Sequence, residues 1–64
     1  MKADKDKLYL AMARACMNAA DVRKAADMPT PTFNNVIAGR SVMPATLGKV
    51  AKALNVDVKD LLED

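Results

Sequence analysis

Three prolines and a glycine punctuate the middle of this chain and limit where its helices can begin and end. Pro29, Pro31 and Pro44 lack the N–H that a helix interior needs, yet they suit a first turn, where that donor has no partner anyway. Gly39 suits the left-handed cap that stops a helix. Between these marks the spacing predicts a helix from Pro31 to Ala38, capped by Thr30, and another started by Pro44 and running over Ala45 to Leu54. Phe33, Val36 and Ile37 take the inward positions of the first, leaving Thr32, Asn34, Asn35 and Ala38 outward. In the second, Leu47, Val50, Ala51 and Leu54 repeat at i, i+3, i+4 and i+7, the strongest amphipathic pattern in the chain.

The same reasoning covers the rest. Asp4 or Asp6 caps a first helix that runs to about Met17, with Leu8, Ala11, Met12 and Ala15 as its buried stripe. Tyr9, Leu10 and Ala13 widen that stripe beyond what a surface helix needs, and the surplus either faces a partner or is the isolated exposed apolar surface common to folded proteins. Asn18 caps a short second helix over Ala19 to Ala26, and Asp21 complements its first-turn amides. Val22, Ala25 and Ala26 point inward there, and Asp27 and Met28 form the turn. Asn55 breaks the fourth helix, and Asp57 caps a last short helix containing Val58, Leu61 and Leu62. β-branched residues never alternate over a strand length, and 12 of the 33 apolar residues are alanine, the best helix former. The expected fold is all-α: one domain over residues 1–64, a compact five-helix bundle.

The residue inventory removes whole classes of chemistry. Without histidine and with one cysteine there is no His/Cys metal site and no catalytic triad built on an imidazole. Asp57, Asp60, Glu63 and Asp64 read as caps and solvated charges, and so small a bundle has little room for a substrate cavity of about 300 Å3. No enzyme activity and no cofactor are expected. Leu8 to Ala13 is the longest apolar run, far below the roughly 20 residues of a membrane span, and the charged opening is no secretory signal. The lone Cys16 fits a reducing cytoplasm and is expected as a buried small hydrophobe.

Charge is unevenly spread. Residues 14–52 balance at +4 and residues 53–64 at −3, within a net +2. Either these charges only solvate the surface, or a basic middle faces a polyanion while an acidic end faces away. The order of elements bears on that choice: a short turn between helices two and three suits a helix-turn-helix, over about residues 18–39. Its second member lies in the major groove, where Asn pairs with adenine and Thr offers a hydroxyl and a methyl, so Thr32, Asn34 and Asn35 either read bases there or form the solvated polar face of a small bundle.

The stretches NAADV over 18–22, MPTPTFNNVIAG over 28–39 and TLGKVAKALNVDVKDLL over 46–62 together resemble the phage repressor/Cro-like helix-turn-helix family, also called XRE. The resemblance covers Leu8 to Leu62 and implies the lambda-repressor-like DNA-binding fold, a cytoplasmic transcriptional regulator acting chiefly as a repressor, and a bacterial or phage origin. It implies that Asn18 touches phosphate and that Thr30, Pro31, Thr32 and Asn35 face the major groove. Arg40 then reaches the adjoining backbone or minor groove. The amides that open helices two and four would also meet phosphates. Two residues depart from the family pattern. Arg23 replaces a small alanine packed between the helices, so the helices sit further apart or the arginine snorkels outward. Asp27 replaces the turn glycine.

Partners follow from this reading. Double-stranded DNA comes first. Val56, Val58, Leu61 and Leu62 either close the core or form part of a homodimer interface, which would set two recognition helices about 34 Å apart. The alternative is a protein-interaction module on the same fold, an antitoxin or adaptor gripping a protein partner through its first and last helices.

Overall fold

The computed structural model describes residues 1–63. Four α-helices follow one another: α1 (Lys5–Ala15), α2 (Ala19–Ala25), α3 (Thr30–Ile37) and α4 (Pro44–Ala53). The expected fifth helix is a single 3-10 turn, Val58–Asp60, so the chain is an all-α bundle of four helices and one turn among the described residues. Asp57 does cap it, accepting the Lys59 N–H at 2.9 Å, but three residues are too few for the i→i+4 bonding that propagates an α-helix.

At the start of the chain Asp4 is the cap of α1, its carboxylate accepting the Lys7 N–H at 3.0 Å. α1 stops two residues short of Met17 because Cys16 turns left-handed, at φ 57°. That conformation carries Cys16 to the surface, against the burial expected of it. α3 starts one residue earlier than expected: Pro29 is its cap, Thr30 its first residue, and Pro31 sits in the first turn.

All four helices end alike. After α1, α2, α3 and α4 the left-handed residues are Cys16, Asp27, Gly39 and Asn55, with φ of 57°, 51°, 75° and 57°. Each is followed by a residue whose N–H reaches back five positions: Met17 to Met12, Met28 to Arg23, Arg40 to Asn35, and Val56 to Ala51. This is the Schellman arrangement, which satisfies carbonyls a helix end leaves bare. Only Gly39 has the residue that enters this region without a Cβ clash.

α2 packs on α4, and the 3-10 turn packs on α4 and α1. Leu8, Leu47, Leu61, Val22, Val36 and Val50 are wholly enclosed, with Met12, Met28, Phe33 and Leu54 filling around them. Ala25, expected inward, is exposed, whereas Val22 and Ala26, expected inward with it, are buried, as is Met28 in the turn.

The first four residues are extended. Val42 exchanges two hydrogen bonds with Met1, at 2.7 and 2.9 Å, and on the other side Asp4 N–H donates to Leu61 and Glu63 N–H to Lys2. Ala3 lies opposite Leu62 in an isolated bridge. The opening segment thus ties the loop after α3 to the end of the described chain.

Candidate nucleic-acid interface

α3 buries Phe33 and Val36 and leaves two rows of side chains outside. Residues four apart share a row on a helix, so Thr30 and Asn34 form one and Pro31 and Asn35 the next. All four are exposed. Thr32 shares its row with buried Val36 and is itself half-buried, at the margin of this face.

The first turn of α2 borders the same face. Ala19, Ala20 and Arg23 line a groove with Thr30, Phe33 and Asn34, so Asn18, exposed just before Ala19, stands at its end. Arg23 is half-buried, and its guanidinium donates to the Met28 carbonyl at 3.3 Å. The large side chain is therefore accommodated by laying its stem in the groove and fastening its head to the turn. Periodicity did not single out Arg23 as an interface residue, although an arginine in place of a small alanine was the available signal.

Arg40 emerges from the cap of α3 and is exposed; its Nη1 donates to the Asn35 side-chain oxygen at 3.3 Å. Thr30, Pro31, Asn34, Asn35 and Arg40 are thus brought to one continuous surface. It presents amide donors and acceptors, a hydroxyl and one cation, the chemistry that base edges and phosphates call for.

The helix starts differ. The carboxylate of Asp21 accepts the Asn18 N–H at 2.9 Å, placing a negative charge on the opening turn of α2. α4 opens with Pro44 after Met43, with no side-chain cap and no acid in its first turn. Its positive end is therefore free of a competing anion.

Of the apolar residues near the end of the chain, Leu61 is fully enclosed and serves the core, while Val56, Val58 and Leu62 keep part of their surface. Tyr9 and Leu10 of α1 are each 51% exposed, and Ala13 beside them is exposed too. Among the described residues no cluster of three metal-ligating side chains occurs, and no helix is long and apolar enough to cross a membrane.

A family model described as a Cro/C1-type HTH DNA-binding domain matches residues 7–64. No curated protein and no solved structure matches the chain.

Proposed function

This chain belongs to the Cro/C1-type helix-turn-helix DNA-binding family, and from that premise we propose that it is a sequence-specific regulator of transcription that reads double-stranded DNA with α3. The observation that carries the reading is the exposed surface of Thr30, Pro31, Asn34 and Asn35 with Arg40 at its edge, anchored by buried Phe33 and Val36 beneath. Amides read base edges in the major groove, while Arg40, Asn18 and the open start of α4 fix the register on phosphates. The regulator acts in the cytoplasm as a repressor, since repression needs only occupancy of a site and no further contact surface. A cofactor has no part in this.

Selection of the folded protein against random duplex DNA at about 100 mM salt, where phosphate contacts alone hold all duplexes equally and weakly, tests the proposal. A retained short motif is the expected result, and Asn34→Ala with Asn35→Ala should erase its base preference. Retention of no motif overturns it. In that case the exposed Tyr9, Leu10 and Ala13 favour the second reading, a protein-interaction module. A motif with two-fold symmetry would further assign a homodimer, with Val56, Val58 and Leu62 as its candidate contacts.

A further inference from the structure

We propose that Arg40 is a positioning residue that fixes the polarity of the Asn35 amide and so decides which base Asn35 reads; this rests on the DNA-reading function of α3. Two bonds join these residues. The Arg40 N–H donates to the Asn35 carbonyl at 3.0 Å, and the Arg40 Nη1 donates to Asn35 Oδ1 at 3.3 Å. The first belongs to the helix cap, where left-handed Gly39 turns the chain back and its N–H closes on the Val36 carbonyl at 3.1 Å. The main chain thereby holds the arginine stem beside the asparagine, and the side-chain bond completes the ring.

A guanidinium carries donors only, whereas an amide has an oxygen at one end and an NH2 at the other. An unrestrained asparagine turns either end to a base, and it pairs with adenine when it donates to N7 and accepts from N6. Beside Arg40 only the oxygen can face the cation, so the NH2 is turned away from it. That oxygen has a second lone pair, so it still accepts from a base while the NH2 beside it donates. The order of acceptor and donor is thereby fixed. Adenine answers it with an N6 donor and an N7 acceptor, while guanine places the acceptor O6 where adenine has N6. Asn35 backed by Arg40 therefore reads adenine, and without Arg40 its amide turns freely and the preference weakens.

The test compares the wild-type protein with Arg40→Met, which keeps the length of the stem and removes the donors. Arg40 is exposed, so the variant keeps the fold. In the free protein, the side-chain NH2 resonances of Asn35 should shift in the variant while those of Asn34 stay in place. In DNA selection, the wild type should prefer adenine over guanine roughly tenfold at one position, the scale of one good base contact, and the variant should lose that preference. Affinity also falls, since a phosphate contact is lost, but that loss is equal for all sequences. An unchanged motif bound uniformly more weakly would make Arg40 a phosphate contact alone and overturn the inference, as would unmoved Asn35 resonances. A wild type that retains no motif would instead bring down the DNA-reading function on which the inference stands.

Discussion

At the scale of the residue, the four helix ends show how little a left-handed turn announces itself. Gly39 is legible as a cap because glycine enters that region freely; Cys16, Asp27 and Asn55 enter it at a cost, Asn and Asp at a lower one than other residues. Cys16 looked like core from its Ala and Met neighbours, and only its left-handed backbone takes it outside. Asp27 is the informative case, because the helix-turn-helix keeps the turn geometry without the glycine usual there. Relief of the Cβ strain outweighs the added freedom that glycine gives the unfolded chain. Asp27→Gly should therefore stabilise the protein by about 0.5–1 kcal/mol, and Gly39→Ala should destabilise it by a similar amount. Urea denaturation of the two variants measures both, with opposite signs expected. If Asp27→Gly left the midpoint unchanged, the turn would carry no strain.

At the scale of the element, α2 and α4 present contrasting helix starts to the same proposed ligand. Asp21 satisfies the Asn18 N–H and complements the positive end of α2, which stabilises the helix but repels a phosphate. Asp21→Asn should cost about 0.5–1 kcal/mol of stability by chemical denaturation. DNA should nevertheless bind it a few-fold more tightly at low salt, with the gain fading as salt rises. Equal affinity across the salt range would place the start of α2 away from the phosphates. Helices α1 to α4 were legible because a start signal agrees with a 3.6-residue period in each: a cap residue, Asp4 or Asn18, in α1 and α2, and a first-turn proline in α3 and α4. The last element was not, since Asp57 signals a start and Val58, Leu61 and Leu62 suit a helix, but Leu61 is claimed by the core after one turn. The exposed faces of Asn34 and Asn35 followed from the positions of Phe33 and Val36. The pairing of Arg40 with Asn35 did not, because it depends on where the cap sends the chain. A five-residue separation across Gly39 was the signal that could have revealed it.

At the scale of the whole molecule, the Cα envelope is 24 Å in its longest direction, shorter than the roughly 34 Å of one DNA turn. Under the proposed function one copy therefore meets a single stretch of major groove, and a symmetric site requires two. The extended opening segment adds a restraint on the loop that bears Arg40, beside the anchoring of α3 through Phe33 and Val36. It joins Val42, two residues beyond Arg40, to Leu61 and Glu63, and no local pattern in the sequence betrays such long-range backbone pairing. Ala3, 2% exposed, is the pin of this clamp. Ala3→Asp forces a carboxylate into an apolar site or pulls the segment out, and either outcome costs about 3 kcal/mol or more. For a domain of 64 residues that is a large share of its total stability. Its thermal transition, followed by circular dichroism, should fall by more than about 10 °C. Lys2→Ala, which alters an exposed side chain and keeps the backbone bond to Glu63, should melt as the wild type does. Were Ala3→Asp to melt with it, the opening segment would be an appendage, and the loop bearing Arg40 would take its position from α3 and α4 alone.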